Sequence, residues 1–360
     1  MSNNHFTHAP NTAFLEILYG CNLNCRYCYV GADKNHAKPV AASVDALTTM
    51  IRRLRDAGVE EIVLLGGEPL LHPSLERICA AIKQCEYPSR GVVSNGTSIT
   101  TDIANILSNN EFWIDISFRA GEQKTFDDLA GDPGTFDRVV SGLQLLAQLK
   151  VPVGIEYDAT LANYTQLFDA VRLVHDLGVK VKQVQIHRIL PEGDASTRMS
   201  EFFLSIEQWR EVFDQCLDIE KTFDVRVVFE DGFPFCLLAE RFWHMITPCA
   251  CGHSLITIGP KGDARYCSCD AKSYGNILTD DIQSIWRTNM AEVRGVEMEH
   301  AECQKCTLVE ICRGGCSASG KMTNGRFMDI FSDHFKARTS APPPELHTPY
   351  IFGQSVRTLT

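Results

Sequence analysis

The sequence lacks three features that would indicate a membrane, a secreted protein or a nucleic-acid-binding protein. No apolar run approaches the roughly 20 residues that a transmembrane helix requires. The N-terminus, "MSNNHFTHAPNT", has neither the basic nor the apolar part of a signal peptide. Positive charge is in deficit, because 45 acidic residues outnumber 34 lysines and arginines and leave a net charge of −11. We therefore predict a cytoplasmic protein that binds neither membranes nor nucleic acid.

Apolar sequence and cysteine, by contrast, are plentiful. The chain has 360 residues, of which 44% are hydrophobic, so it can bury a large core as one large domain or two ordinary ones. It also contains 15 cysteines. Disulfides are rare in the reducing cytosol, so these cysteines need a different explanation.

The cysteines are concentrated in two regions of the chain. The first region is "CNLNCRYCYV", which contains Cys21, Cys25 and Cys28. The second occupies the last third of the chain and contains Cys249, Cys251, Cys267, Cys269, Cys303, Cys306, Cys312 and Cys316. The remaining four are interpreted as structural residues of the core, and they are Cys79, Cys85, Cys216 and Cys236.

Short β-rich runs alternate with amphipathic helices from Phe14 to about Leu190. The run "AFLEILYG" precedes a helix that starts near Ser43 and ends at Gly58, and five further β-rich runs follow, four of them with a helix after them. Near-continuous apolar strands joined by helices favour a parallel sheet covered on both faces, which is an α/β architecture. Ligand sites in such sheets lie at the carboxyl ends of the strands, where the polar motifs of this sequence fall.

Three further segments follow this α/β region, which we assign to residues 13–190. Residues 191–248 form a bridging segment that contains a long amphipathic helix, "SIEQWREVFDQCLDIEKTF", and one strand, "VRVVFE". Residues 249–338 form a small cysteine-rich α+β module with a hairpin before Cys267. Residues 339–360 are a proline-rich tail.

The spacing of the cysteines by itself permits two kinds of metal site. Three thiolates in one loop can hold a four-iron cluster and leave one of its irons open. A structural zinc ion would need a fourth ligand, which His36 would supply. The pattern CxxCxxxxxCxxxC from Cys303 to Cys316 is, on its own, typical of a zinc ribbon. Spacing alone leaves both alternatives open.

Several motifs together resemble those of radical S-adenosylmethionine (SAM) enzymes. The CxxxCxxC loop, with Tyr27 before its last cysteine, resembles the cluster loop of that family. The segment "LLGGEP" (Leu64–Pro69) resembles the GGE motif, "SNGT" (Ser94–Thr97) the TNG-type turn, and Ser117 a serine that contacts the SAM ribose. These motifs recur in order at consecutive strand ends. The resemblance implies a partial (β/α)6 barrel similar to a TIM barrel, followed by the cysteine-rich module.

The resemblance also implies roles for individual residues. Cys21, Cys25 and Cys28 would hold a [4Fe–4S] cluster, whose reduced form cleaves SAM to methionine and a 5′-deoxyadenosyl radical that abstracts hydrogen from a substrate. The residues expected to bind SAM are Tyr27, Gly66, Gly67, Glu68, Ser94, Asn95 and Ser117. Relatives often carry an arginine where Ala130 stands, so the SAM carboxylate is expected to be anchored differently here. No catalytic acid or base is assigned.

The second cysteine region resembles the SPASM extension, which carries two auxiliary [4Fe–4S] clusters. The resemblance implies that Cys249, Cys267 and Cys316 hold one cluster, with Cys251 or Cys269 as the fourth ligand. The other cluster would be held by Cys303, Cys306 and Cys312. No cysteine follows Cys316, so its fourth site would be open or taken by Asp329, Asp333 or His334.

The resemblance to peptide-modifying maturases implies a ribosomally synthesised precursor peptide as substrate, which is crosslinked or oxidised. Because the first strand begins by about Phe14, we expect no N-terminal leader-recognition domain, and either a separate recognition protein or direct binding of the precursor. An electron donor such as flavodoxin or ferredoxin is also implied. The alternatives are a dehydrogenase or epimerase of a sugar or alcohol, sulfatase-maturase-like residue oxidation, and a zinc-stabilised binding protein without catalysis.

Overall fold

The computed structural model of the chain describes residues 7, 9–30, 40–294, 300–324 and 329–339. Within this part of the chain, ten strands form one sheet. They are β1 (Thr12–Tyr19), β2 (Val40–Ala41), β3 (Glu61–Gly66), β4 (Ser89–Ser94), β5 (Trp113–Ser117), β6 (Val153–Ala159), β7 (Val181–Arg188), β8 (Arg226–Phe229), β9 (Leu255–Ile258) and β10 (Ala264–Arg265). The strand order is β10-β9-β1-β3-β4-β5-β6-β7-β8, and β2 pairs with β1.

Helices follow most of the strands. The α-helices of eight residues or more are Val44–Asp56, Leu75–Gln84, Thr101–Asn109, Gln123–Ala130, Thr135–Gln148, Leu167–Asp176, Ile206–Phe223 and Ser317–Asn324. The shorter helices and helical turns are Pro69–Leu71, Gly193–Ala195, Met199–Phe202, Phe235–Leu237, Glu240–Met245, Ile282–Ser284, Ile285–Asn289, Ala291–Arg294, Ala301–Gln304, Val309–Cys312 and Ser332–His334.

The helix Val44–Asp56 illustrates how the sequence determines these elements. The Ser43 side chain caps it by accepting a hydrogen bond from the backbone N–H of Ala46 at 3.2 Å. Its apolar residues recur at helical spacing, and the stripe Leu47, Met50, Ile51 and Leu54 is fully buried. Burying side chains of this size stabilises the fold by about 1.5–3 kcal/mol each relative to exposing them. The predicted stripe is therefore the face that covers the sheet.

The predicted α/β class and partial barrel are confirmed. Strands β1 and β3 to β7 run parallel, in the order that six strand and helix units require. The sheet continues beyond them on both sides, because β8 pairs in parallel with β7 and β9 pairs in parallel with β1. The predicted hairpin before Cys267 is also present, formed by the antiparallel pair of β9 and β10. The sheet therefore includes strands from the bridging segment and from the cysteine-rich region.

The long helix of the bridging segment, Ile206–Phe223, packs on the far edge of this sheet. Ser205 and Gln208 form a capping box at its start. Its buried Trp209 lies against Phe229 of β8, with ring centroids 5.3 Å apart, and against Phe233, at 5.7 Å. Such aromatic pairs contribute beyond their buried area, so this helix anchors the bridging segment to the barrel.

Two general observations concern the described residues as a whole. None of the fifteen cysteines, all of which lie in the described ranges, is paired in a disulfide. In the described ranges no helix combines the length and the apolar character that crossing a bilayer demands.

Candidate active site and thiol groups

The first cysteine loop, defined by Cys21, Cys25 and Cys28, directly follows the carboxyl end of β1. The backbone N–H of Leu23 donates to the Sγ of Cys21 at 3.4 Å, and the N–H of Cys28 donates to the carbonyl of Cys25 at 3.2 Å. Burial raises the pKa of Cys21 to about 12, and repulsion from Glu68 and from the other two thiols adds to this rise. The structure thus brings the three predicted ligands to one site beside Glu68.

Arg119, which the sequence analysis did not single out, places a positive charge at this site. Its Nη2 donates to the Sγ of Cys25 at 3.4 Å, and its Nη1 donates to the carbonyl of Ser117 at 3.0 Å. The guanidinium also lies over the ring of Phe126, 5.6 Å from its centroid. The sequence feature that could have identified Arg119 is its position two residues after β5, at the carboxyl end of a strand.

Ala130 lies at the end of the helix Gln123–Ala130 and is fully buried. The preceding carbonyl, that of Leu129, accepts a hydrogen bond from the N–H of Arg26 at 3.4 Å. This helix end therefore touches the first cysteine loop through backbone atoms. In the described part of the chain, Arg119 at the end of β5 is the cation beside Cys25, whereas position 130 carries the uncharged Ala130.

The GGE segment forms the end of β3 and is clamped to β1. The N–H of Gly67 donates to the carbonyl of Leu18 at 2.7 Å, and the N–H of Glu68 donates to that of Gly20 at 2.8 Å. Gly66 has a φ of 144°, and a Cβ at this position would lie 2.1 Å from the carbonyl oxygen of Leu18. Only glycine fits here. The clamp fixes the segment against the start of the first cysteine loop.

Glu68 is fully buried and joins the ends of β3 and β4. Its Oε1 accepts hydrogen bonds from the N–H of Leu70 at 3.0 Å and from the hydroxyl of Ser94 at 2.8 Å. Its Oε2 accepts one from the N–H of Asn95 at 2.8 Å. Burial raises the pKa of this carboxyl, although these donors oppose the rise. The chain's own donors therefore hold the carboxylate in a fixed position next to Cys21.

The SNGT turn brings the end of β4 to the same place. The Nδ2 of Asn95 lies 3.6 Å from the Sγ of Cys21 and 3.0 Å from the Oδ1 of Asn22. The Oδ1 of Asn95 accepts a hydrogen bond from the N–H of Thr97 at 3.0 Å. The carboxyl ends of β1, β3 and β4 thus meet around the first cysteine loop, which is the convergence that the order of the motifs predicts.

Ser117 and Tyr27 flank this convergence in different environments. The hydroxyl of Ser117, at the end of β5, is partly exposed and lies 3.5 Å from the Oε2 of Glu156. Tyr27 is buried, and its ring contacts that of Phe202 edge-on, with centroids 5.8 Å apart. Ser117 is therefore accessible to a ligand in part, whereas the ring of Tyr27 is packed in an apolar cluster with Phe202.

The carboxyl ends of β6, β7 and β8 carry a group of ionisable side chains that the sequence analysis missed. We call Glu156, Asp158, His187 and Asp231 the barrel-mouth acids and histidine. The Nδ1 of His187 lies 3.3 Å from the Oδ1 of Asp231, and its Nε2 lies 4.0 Å from the Oε1 of Glu156. The side chains of Glu156 and His187 are 18% and 22% exposed. Their positions at the carboxyl ends of strands could have identified these residues from the sequence.

Ionisation of Glu156, like that of Asp158, is opposed by burial and lowers the stability of the folded state. Burial raises its pKa to about 7, against the attraction of His187, while Asp158 and Asp231 repel it further. A carboxyl whose folded pKa lies above the unfolded value of 4.5 makes the folded state less stable as pH rises from about 4.5 through 7. Ionisable groups with strongly shifted pKa values are frequent at functional sites.

Replacing Glu156 by glutamine is therefore expected to stabilise the chain, and more so at high pH. We predict that E156Q raises the melting temperature at pH 8 by more than at pH 5, with a gain on the order of 1–3 kcal/mol at pH 8. Thermal unfolding of the metal-free chain at both pH values measures this. The control is E211Q, at an exposed position of the helix Ile206–Phe223, which should change neither value. Equal shifts of E156Q at the two pH values would contradict the prediction.

The proximal thiol group consists of Cys249, Cys251, Cys267, Cys269 and Cys316. The hairpin of β9 and β10 brings its first four members together. Hydrogen bonds from Cys251 and Cys269 lower the pKa of Cys267, and Cys316 interacts electrostatically with both Cys249 and Cys269. Five thiols are thus present for the four sites of one cluster, and the choice between Cys251 and Cys269 stays open.

The distal thiol group consists of Cys236, Cys303, Cys306 and Cys312. These four cysteines line one narrow cavity. Burial raises the pKa of Cys303 to about 11, and repulsion from Cys236 and Cys306 adds to the rise. The interpretation of Cys236 as a structural core residue therefore needs correction, because this cysteine lies among the predicted ligands of the second auxiliary cluster.

The three side chains proposed from sequence as non-cysteine ligands lie in other surroundings. Asp329 is fully buried and forms a two-point ion pair with Arg188, at 3.1 and 2.5 Å. It also accepts a hydrogen bond from the N–H of Cys316 at 2.9 Å. Asp333 and His334 are exposed, in the turn Ser332–His334. Asp329 therefore has a structural role in this fold, next to the proximal thiol group.

The chemistry of the donors fits iron–sulfur clusters. Within the described ranges, no three His, Cys, Asp or Glu side chains are arranged to hold a single metal ion, and His36 lies outside those ranges. The three groups consist of thiols, which are the ligands of [4Fe–4S] clusters, with one cysteine for each ligated iron. The first cysteine loop offers three thiols, and the other two groups offer at least four each.

Comparisons with known proteins agree with this geometry. Residues 15–165 match the family model "Radical SAM superfamily". The AdoMet-dependent heme synthase of Methanosarcina barkeri is 23% identical over 337 residues, which are 90% of this chain and 95% of that protein. The mycofactocin maturase MftC of Mycobacterium tuberculosis is 25% identical over 321 residues, which are 86% of this chain and 79% of that protein.

The fold is similar to that of SuiB from Streptococcus suis. Its crystal structure bound to S-adenosylmethionine superposes with a TM-score of 0.74 at 17% identity, covering 91% of this chain and 78% of that chain. Its structure bound to the precursor peptide SuiA gives a TM-score of 0.72 at 16% identity, covering 91% and 76%. These matches extend over the partial barrel and most of the rest of the chain.

The family match starts in β1 and ends shortly after β6, so it includes the first cysteine loop, the GGE segment and the SNGT turn. The chain is thus one of the α/β enzymes whose partial barrel presents a three-cysteine loop at the carboxyl end of its first strand. It carries a radical SAM domain over residues 15–165.

Proposed function

We propose that this enzyme modifies a ribosomally synthesised peptide, by forming a crosslink or by oxidising a residue. The observation that carries the proposal is the convergence of Cys21 with Glu68 and Asn95 at three adjacent strand ends. When bound at the first cysteine loop, a reduced [4Fe–4S] cluster supplies the electron that cleaves SAM to methionine and a 5′-deoxyadenosyl radical.

The residues around the loop would each hold a different part of SAM. Glu68 is a positioned carboxylate beside Cys21, which suits the methionyl ammonium group together with the backbone of Gly66 and Gly67. Arg119 offers a fixed cation for the methionyl carboxylate. The remaining predicted SAM contacts are Tyr27, Ser94, Asn95 and Ser117, of which Ser117 has a partly exposed hydroxyl that could contact a ribose.

The second cysteine region would bind two auxiliary [4Fe–4S] clusters, as a SPASM module of residues 249–338. The proximal thiol group would hold one and the distal thiol group the other. The ion pair between Arg188 and Asp329, together with the hydrogen bond from the N–H of Cys316, would fix the proximal cluster relative to β7. The boundaries 13–190 for the barrel and 191–248 for the bridge belong to the same proposal.

Two observations support a peptide as the substrate. MftC is a maturase by name, and SuiB has been crystallised with its precursor peptide, at similarities that extend over more than four fifths of this chain. The barrel-mouth acids and histidine also form a polar, partly exposed wall next to Ser117, where a peptide's amide and charged groups would find hydrogen-bonding partners. We further propose a separate recognition protein for the precursor's leader, flavodoxin or ferredoxin as electron donor, and a cytoplasmic location.

A second candidate is the modification of a small molecule. The specific observation in its favour is the similarity to the heme synthase of Methanosarcina barkeri, which covers 95% of that protein. A heme synthase acts on a substrate that is not a peptide. An experiment that offers the enzyme both kinds of substrate therefore distinguishes the two candidates.

The experiment follows the hydrogen atom that the substrate loses. Uniformly deuterated precursor peptide and, separately, a deuterated heme precursor, sugar or alcohol would be incubated anaerobically with enzyme, SAM and reductant. We expect deuterium in 5′-deoxyadenosine only with the peptide, accompanied by a matching mass change in the peptide. Deuterium transfer from a small molecule alone would move the assignment to the second candidate.

A further inference from the structure

Cys236 occupies a rigid turn at the wall of the distal cavity. It lies in the turn Phe235–Leu237, which follows Pro234. The indole N–H of Trp243 donates to the carbonyl of Phe235 at 3.1 Å, and the two rings meet edge-on with centroids 5.5 Å apart. These contacts fix the residue directly before Cys236, so the bridging segment holds this turn in place.

The cavity around the distal thiol group is lined mainly by apolar side chains. The residues that line it besides the four cysteines are Pro234, Phe235, Glu302, Leu308, Val309, Gly314, Phe335 and Lys336. On the opposite wall, the N–H of Thr307 donates to the carbonyl of Arg338 at 2.9 Å, which ties the loop of Cys303 and Cys306 to the end of the described chain. Four thiols around an apolar cavity are a setting typical of a buried iron–sulfur cluster.

We propose that Cys236 is the fourth protein ligand of the distal auxiliary cluster, together with Cys303, Cys306 and Cys312. The inference rests on the cluster content given under the proposed function. It replaces the sequence-based expectation of an open site or an oxygen or nitrogen ligand, which arose because no cysteine follows Cys316. The missing downstream ligand is supplied from the bridging segment, upstream of the whole motif.

Complete thiolate ligation has a consequence for the chemistry of this cluster. With a cysteine on each iron, no iron is free to bind substrate or a small thiol. The distal cluster would then offer substrate no open iron. The open iron at the first cysteine loop remains the one that binds SAM. The distal cluster is thereby restricted to holding and passing electrons.

The test compares cysteine variants of the full-length protein after anaerobic reconstitution. C236A and C236S would be measured beside C79A and C216A, whose buried cysteines lie outside the three thiol groups. Iron and sulfide per chain and the electron paramagnetic resonance (EPR) spectrum of the reduced protein are the readouts, with circular dichroism to verify folding. If C236A does not fold, C236S provides the same comparison.

For C236A we expect the loss of up to four of roughly twelve irons, or an altered EPR signal of one auxiliary cluster that added 2-mercaptoethanol restores. The two control variants should match the wild type. Full iron content with an unaltered spectrum in C236A would overturn the ligand assignment while leaving the proposed function intact. A wild-type protein that binds only about four irons would instead overturn the auxiliary clusters themselves.

Discussion

Simultaneous replacement of Cys21, Cys25 and Cys28 by alanine is expected to abolish 5′-deoxyadenosine formation. These thiols are the proposed ligands of the SAM-cleaving cluster, and they lie together beside Glu68. The variant should lose about four of roughly twelve irons and keep the rest, because the auxiliary clusters have separate ligands. Iron analysis and a SAM cleavage assay after anaerobic reconstitution measure both effects.

The matched control for this variant removes three cysteines from elsewhere in the same chain. Cys79, Cys85 and Cys216 lie outside the three thiol groups, so their joint replacement by alanine removes as much sulfur without touching a proposed ligand. We expect this control to retain its irons and to cleave SAM. Undiminished SAM cleavage by the Cys21, Cys25 and Cys28 variant would refute the assignment of the first cysteine loop.

Breaking the ion pair between Arg188 and Asp329 is expected to destabilise the chain by about 3–5 kcal/mol. Both side chains are at most 2% exposed, and Asp329 also accepts the N–H of Cys316. In D329N the buried guanidinium of Arg188 would lose the carboxylate that contacts it directly and keep only the charge of Asp231, and this poorly compensated charge is the source of the loss. Denaturant unfolding of the metal-free chain measures it.

A surface ion pair of similar geometry provides the comparison. Arg241 and Asp214 approach to 3.0 Å but are 60% and 57% exposed, so D214N is expected to cost about 1 kcal/mol or less. Replacing both buried partners, as R188M/D329L, should recover part of the loss because no unpaired charge remains. A loss of four irons in D329N without a loss of stability would contradict the structural role and indicate that Asp329 is a cluster ligand.

The ion pair between Arg188 and Asp329 connects two regions of the molecule. Arg188 is the last residue of β7, and its backbone N–H donates to Asp231, a member of the barrel-mouth group. Asp329 holds the N–H of Cys316, in the proximal thiol group. One buried contact therefore connects the barrel mouth with the neighbourhood of an auxiliary cluster, and the distance between the two depends on it.

Local sequence patterns were sufficient to predict the barrel and the strand ends at which its first three motifs meet. The stripe of Val44–Asp56 repeats within thirteen residues, and the first cysteine loop, GGE and SNGT each occupy a few residues at a strand end. Helical burial and strand-end chemistry depend on neighbours along the chain, so they can be read from the order of residues. The six parallel strands followed from the same alternation.

The features that sequence analysis missed depend on contacts between distant segments. Cys236 joins the distal group only because the turn after β8 folds back onto the loop of Cys303 and Cys306. Strand β9 pairs in parallel with β1 although most of the sheet separates them in sequence. Arg119 is a single residue whose proximity to Cys25 becomes visible only when β1 and β5 are placed in one sheet. No spacing rule within one segment encodes these neighbours.

The central claim is that the chain presents one open iron, at the cluster held by Cys21, Cys25 and Cys28, and that SAM binds there. Mössbauer spectroscopy of ⁵⁷Fe-reconstituted enzyme, recorded with and without SAM, tests this most directly. The account predicts that about one iron in roughly twelve changes its isomer shift when SAM is added, and that this change disappears in the variant lacking those three cysteines. A SAM-dependent change that persists in that variant, or no change in the wild type, would contradict it.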